Sequence, residues 1–149
     1  MRSLKASALD VLLVVVQAAL LLAFAVAPGR PFSIASLGSL PIVVGIAIAL
    51  AGGVRLGRNL TPLPTPTSTA VLRSDGIYRW IRHPIYAGIM YAVFGISFAT
   101  SSATRGFLAL AIVLFFHIKT NYEERRLIAR FPEYEAYRRR VKRFVPLLY

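Results

Sequence analysis

VLLVVVQAALLLAFAVA, residues 11–27, is a run of 17 positions whose only strongly polar member is Gln17. A helix needs about 20 mostly apolar residues to cross a hydrocarbon core about 30 Å thick, so this run reads as a membrane span. Three further uncharged runs follow, at residues 37–54, 84–104 and 106–118. The last has 13 residues, about 20 Å of helix, and spans only if Arg105 and Lys119 snorkel outward or protein flanks it. The expectation is an all-α integral membrane bundle of about four transmembrane helices, the fourth being the short one.

The whole chain has 149 residues, 56% of them hydrophobic, with 18 Lys+Arg against 6 Asp+Glu and a net charge of +12. This length suits one domain. A disordered basic tail requires low hydrophobicity, and a soluble nucleic-acid binder rarely carries long uncharged apolar runs. With no cysteine there is no disulfide framework, no Cys-ligated zinc and no thiol nucleophile.

The position of the charge explains its sign. Arg2 and Lys5 precede the first run, Arg55 to Arg82 lie between the second and third, and nine more basic residues run from Lys119 to Arg143. Only Arg30 and Arg105 fall in the other two loops. Basic residues in short loops stay on the cytoplasmic side, so a multi-pass chain with both termini cytoplasmic is expected. Arg138, Arg139, Arg140, Lys142 and Arg143 read as a clamp for anionic lipid headgroups, each attracted by about 1 kcal/mol, or as a solvated positive-inside tail. No nucleic-acid partner is expected.

This divides a single membrane domain, residues 1–149, into four parts. Residues 1–58 carry two N-terminal transmembrane helices and 59–83 a cytoplasmic connector; 84–119 carry two more helices and 120–149 a cytoplasmic tail. The connector opens with NLTPLPTPTST, where Pro62, Pro64 and Pro66 each lack an N–H and fix φ, so an extended polyproline-like path is expected. Ser74-Asp75-Gly76 has turn chemistry, with Gly76 able to take positive φ. The fourth helix should continue to about Arg130, where Phe131-Pro132 breaks it. A second helical piece then places Tyr134, Tyr137 and Val141 on one face, against the bilayer or the bundle.

His83 stands between Arg82 and Pro84 at the mouth of the third span, with Tyr78 and Tyr86 nearby. Ionisable residues at this depth are functional candidates, and they are equally interfacial anchors within an aromatic belt. Glu123 reads as a helix ion-pair partner for Arg126 or Lys119 and Glu124 for the neighbours of Arg125, or the two as acceptors for a cationic or hydroxyl-bearing ligand. Adjacent helical positions point about 100° apart, so one of the two faces a pocket. His117 reads as a hydrogen-bonded helix histidine, because zinc needs three or four ligands and the chain has two histidines. No metal is expected. Ala87, Gly88, Ala92 and Gly95 permit close helix packing, or a lateral groove for a lipid tail.

Pro62-x-Pro64 and then LRSDGIYRWIRHPIYAG at residues 72–88, followed by EERRL at 123–127, FPEYEAY at 131–137 and Val141-x-x-Phe144-x-Pro146, resemble the isoprenylcysteine carboxyl methyltransferase and phospholipid methyltransferase family. The resemblance covers roughly residues 60–146. Two features depart from the pattern: Pro132 stands where glycine is commoner, and two helices precede the motif region. The resemblance implies a membrane-embedded enzyme that binds S-adenosylmethionine, and yields S-adenosylhomocysteine, without a Rossmann domain. It places Gly76, Tyr78, His83, Pro84, Tyr86 and Gly88 at the cofactor, the two glycines for close backbone approach. Glu123 or Glu124 would bond its ribose or amino group, and Arg82 would hold its carboxylate or orient the substrate. Arg82, Glu123 and Glu124 are thereby the candidate catalytic residues.

Methyl transfer from a sulfonium is an in-line displacement in which the cofactor supplies reactivity and the protein supplies position. The implied acceptor is lipophilic: an isoprenoid carboxylate or thiol, or a phospholipid amine. Two readings compete, a non-catalytic membrane scaffold with a headgroup-binding tail and an NADPH-dependent membrane reductase of similar C-terminal architecture.

Overall fold

The computed structural model describes residues 6–146, and all regular structure among them is helical. Arg2 and Lys5, used above for orientation, lie outside the described residues, as do residues 147–149. Five α-helices follow in order: α1 (Ala8–Val26), α2 (Ser39–Leu56), α3 (Pro84–Ala99), α4 (Ala103–Arg130) and α5 (Tyr134–Arg140). Among the described residues, α1, α2 and α4 are long and apolar enough to cross a membrane, and α3 is a shorter apolar helix. Most of the large apolar side chains of α1 and α2 point outward, as an integral membrane protein in lipid requires.

The short helix is therefore the third, and the fourth is the longest. The uncharged run at residues 84–104 is cut by a turn. Ser97 and Thr100 return their hydroxyls to the carbonyls of Val93 and Ile96 at 2.7 Å, which competes with the ladder. Ser101 then takes φ +45°, and Ser102 caps α4 by accepting from the Arg105 N–H. From there α4 runs without a break for 28 residues, about 42 Å. Lys119 does not snorkel; it is 1% exposed, flanked by protein.

Helices α1 to α4 run up and down. Gly38, the N-cap of α2, and Gly45 and Gly52 within it recur every seven residues, as Gly88 and Gly95 do on α3. Gly38 meets Gly95, Gly45 meets Gly88, and Gly52 meets Pro84, so closely that a Cβ at any of these glycines would overlap the facing helix. Small residues permit this approach, and the packing reading of Gly88 and Gly95 is the one observed. α3 packs on α4, and α4 on α1. No extensive contact joins α1 to α2 among the described residues.

The start of α1 meets the connector. Ser7 and Asp10 form a capping box, and the buried Asp10 carboxylate accepts from Thr65 at 2.9 Å. The connector is not the extended rod its prolines suggest. It begins with a 3-10 turn, Gly57–Asn59, then bends through residues 62–65, and Asn59 pins it by donating to the Val71 carbonyl at 2.7 Å. Prolines lack donors but keep their carbonyls, so side chains from other elements can hold the loop down. Gly76 takes φ +57°, as its turn requires.

α4 ends at the break expected at Phe131. Beyond it, Phe131, Tyr134 and Tyr137 bury one face against Leu72, Leu127, Ile128 and Val141, so this face lies on the bundle and loop. The chain then pairs with the segment before α3: the N–H groups of Arg82 and His83 donate to the carbonyls of Lys142 and Arg143 at 2.9 and 3.1 Å.

Candidate active site

A cavity of about 400 Å³ opens where α1, α3 and α4 meet the connector. Its roof is the proline loop and its outer wall is α5. The side chains that give it chemical character are Gln17, Tyr78, Tyr86, Lys119, Glu123 and Tyr134.

Pro84 begins α3 at the first helical position, with His83 as the N-cap. This sends Tyr86 across to α4, where its hydroxyl donates to Glu123 Oε2 at 3.0 Å. The Tyr86 ring is stacked between His83 and Phe116, with centroids 5.7 and 4.7 Å away. The Lys119 ammonium lies 5.2 Å from the same ring. Lys119 Nζ donates to Gln17 Oε1 at 2.5 Å and to the Pro62 carbonyl at 3.3 Å.

The two adjacent glutamates do different work. Glu123 is on the cavity wall. Glu124, 1% exposed, faces away from it toward Arg82, His83 and Arg143. Its Oε1 accepts from Arg82 Nε at 3.0 Å and His83 Nε2 at 3.1 Å, and its Oε2 from Arg143 at 3.2 Å. Arg82 also donates through Nη1 to the carbonyls of Arg138, at 2.8 Å, and Val141. Glu124 thus ties the segment before α3 to α4 and to the C-terminal tail. Glu123 makes no contact ion pair with Arg126 or Lys119 and instead accepts from Tyr86, with the Lys119 charge acting on it from one turn away.

Three buried phenols complete the outer wall. Tyr137 donates to the Tyr78 carbonyl at 2.5 Å and Tyr78 to the Gly52 carbonyl at 3.3 Å. The Tyr134 hydroxyl is buried with no partner among the described residues. Burial pushes all three phenols above their ordinary range, so they are neutral hydrogen-bond donors.

Of the residues singled out in the sequence, the cavity brings together Tyr78, Arg82, His83, Pro84, Tyr86 and Glu123. Gly88 is not on its wall; it lies against Gly45 in the α2–α3 contact. Gly76 lies beneath the Arg55 side chain, and Glu124 is behind the wall. His117 faces a separate apolar hollow of about 280 Å³ bordered by Met90, Tyr91, Phe94 and Val145. Lys119, Gln17 and Tyr134 were not identified as site residues from the sequence. The signal for Lys119 was an ammonium one helical turn before Glu123 at the end of an apolar run.

Residues 34–133 match the model of the phospholipid methyltransferase family. Methanethiol S-methyltransferase 2 of Bradyrhizobium diazoefficiens is 38% identical over 88 residues, 57% of this chain and 32% of that protein. The mouse protein-S-isoprenylcysteine O-methyltransferase is 31% identical over 115 residues, 74% of this chain and 41% of the relative. The solved structure of a eukaryotic intramembrane Ras methyltransferase, isoprenylcysteine carboxyl methyltransferase, superimposes with a TM-score of 0.68 at 26% identity, over 75% of this chain and 42% of that one. The chain therefore spans between a third and a half of the length of these relatives. With two thirds of its residues inside the family match, and with the tyrosine–glutamate cavity formed by the matched segments, the chain belongs to the phospholipid methyltransferase family.

Proposed function

We propose that the protein transfers a methyl group from S-adenosylmethionine to a lipophilic acceptor at the cytoplasmic face of a membrane. The observation that carries this reading is the cavity itself. It is roofed by loop and tail, lined by aromatic faces, and furnished with an acceptor at Glu123 and an unpartnered donor at the Tyr134 hydroxyl. A mostly apolar hollow with a few convergent polar groups is what a small-molecule site requires. The family membership and the activities for which its relatives are named support the same chemistry.

The residues fit the cofactor's groups. Glu123 suits a hydroxyl or ammonium, and the Tyr78 ring suits a sulfonium through cation–π attraction; Tyr86, its ring covered by His83 and Phe116, holds Glu123 in place. When bound, the cofactor supplies an electrophilic methyl carbon. The protein's part is to hold, orient and dry the site, and fixing two reactants in register can lower a barrier by about 7–11 kcal/mol. Arg82 and His83 act as positioning residues through Glu124, keeping the tail over the opening. The side on which α1 and α2 share no extensive contact suits entry of an apolar tail from the bilayer.

Fourteen of the 16 basic residues among the described ones lie toward the connector end, which favours that end as cytoplasmic. Arg139, Arg140 and Lys142, exposed on the tail, then meet anionic headgroups. The test is transfer of tritiated methyl from S-adenosylmethionine by purified protein in proteoliposomes containing total membrane lipid. The expected result is label in an organic-extractable product, lost in Glu123→Gln. No label above the protein-free control, with lipids, prenyl acids and thiols all supplied, would overturn the proposal.

A further inference from the structure

Glu123 must stay open to a ligand although an ammonium sits one helical turn away on the same wall, and α1 supplies the group that keeps the two apart. We infer that Gln17 is a positioning residue of the site, which draws the Lys119 ammonium off Glu123 and so leaves the second Glu123 oxygen to the hydroxyls or ammonium of the cofactor. This rests on the methyl-transfer reading and brings into the site a residue of α1, a helix outside the family match at residues 34–133.

Lys119 and Glu123 are four positions apart on α4, the spacing at which a lysine and a glutamate on one helix meet, and both are on the cavity wall. Among the described residues they form no contact ion pair, and their charges balance each other across about 6 Å of helix axis. The Lys119 Nζ donates instead to Gln17 Oε1 at 2.5 Å and to the Pro62 carbonyl at 3.3 Å. Glu123 Oε2 accepts from the Tyr86 hydroxyl at 3.0 Å, and among the described residues Oε1 accepts from nothing. Gln17 is the single strongly polar residue in the run at residues 11–27, on a helix that packs against α4. An ammonium only donates, so the Gln17 amide must turn its oxygen toward Lys119.

Without that amide the ammonium keeps only its longer bond, to Pro62, in a place where a buried charge is costly unless it is paired. The strongest acceptor left within one turn is the Glu123 carboxylate, because a hydrogen bond between two charged groups is shorter and roughly twice as strong as one between neutral groups. The resulting contact pair takes the oxygen a ligand needs, and the ligand must break it to bind. Gln17 therefore acts on binding through Lys119. A residue that merely glued α1 to α4 would alter stability and leave ligand affinity alone, and a residue that touched the ligand itself would be felt with or without Lys119.

The experiment is calorimetric titration with S-adenosylhomocysteine of the full chain in detergent, as wild type, Gln17→Met, Lys119→Met and the double variant. Each is first shown to be folded by its melting profile. Gln17→Met should weaken binding about tenfold while Lys119 is present, and by less than about twofold once Lys119→Met has removed the ammonium. Gln17→Asn keeps an amide in the span but withdraws it by one methylene; it should weaken binding in the same way, and it decides the matter if Gln17→Met does not fold. An equal or greater loss on the Lys119→Met background overturns the inference and assigns Gln17 to the ligand. No loss on the wild-type background also overturns it, leaving Gln17 as helix packing. Loss of all binding in Lys119→Met alone overturns it too, by giving the ammonium itself to the ligand. Failure of folded wild type to bind S-adenosylhomocysteine at all is a different result and overturns the methyl-transfer reading itself.

Discussion

Replacing Glu124 by glutamine removes one charge from a group that holds three chain segments together. In the wild type its two oxygens accept from Arg82, His83 and Arg143 at 3.0, 3.1 and 3.2 Å. The Arg138 guanidinium, 40% exposed and 3.8 Å away, adds little because solvent screens it. Breaking a buried pair by neutralising one partner costs about 3–5 kcal/mol. The amide keeps one acceptor oxygen, so the lower end, about 3 kcal/mol, is expected. For a domain of this size that is a fall in melting temperature of roughly 6–12 °C.

The assay is available in the chain itself. Trp80 is its single tryptophan, two residues before Arg82, so intrinsic fluorescence during heating in detergent reports the clamped segment. Glu123→Gln is the paired control, expected to leave the Glu124 clamp intact and to lose cofactor-product binding. A Glu124→Gln protein that melts with wild type, while Glu123→Gln melts early, would refute the division of labour between the two glutamates.

Other expectations follow from the same contacts. Gly88→Val drives a side chain into the Gly45 backbone and should cost about 1–3 kcal/mol by overpacking; Gly53→Ala, whose Cβ would meet nothing within 4 Å, should melt with wild type or slightly above it. Tyr86→Phe keeps the ring stack and loses the bond to Glu123, lowering stability by about 1–2 kcal/mol and weakening S-adenosylhomocysteine in calorimetry. Because burial raises Tyr78, Tyr134 and Tyr137 above the ordinary phenol value of 10.0, the unfolded chain ionises first. Their contribution is complete below pH about 10 and is lost as pH rises beyond it. Melting profiles from pH 7 to 11 should fall at the alkaline end, less steeply in Tyr137→Phe.

The helices were legible because spans leave long uncharged runs: the runs at 11–27 and 37–54 lie within two or three residues of α1 and α2 at either end. The division between α3 and α4 was misplaced, because composition does not show that Ser101 takes positive φ and Ser102 caps a new helix. The RHP segment and the glutamate pair pointed to the cavity's location. Which glutamate faces it depends on where α3 places Tyr86, and no local pattern encodes that. Lys119 looked like a snorkelling anchor because its acceptors, Gln17 and Pro62, come from elements 102 and 57 residues away. Gly88 sits inside the motif and yet serves helix packing; the facing heptad spacing of Gly38 at the N-cap of α2 and of Gly45 and Gly52 within it is the signal that explains it.

The most direct test of the account is calorimetric titration of the folded, detergent-purified protein with S-adenosylhomocysteine, beside NADPH and the Glu123→Gln variant. The account predicts saturable binding of S-adenosylhomocysteine to wild type at one site, no binding of NADPH, and loss of binding in Glu123→Gln. Binding of NADPH alone, or of neither ligand, would contradict it.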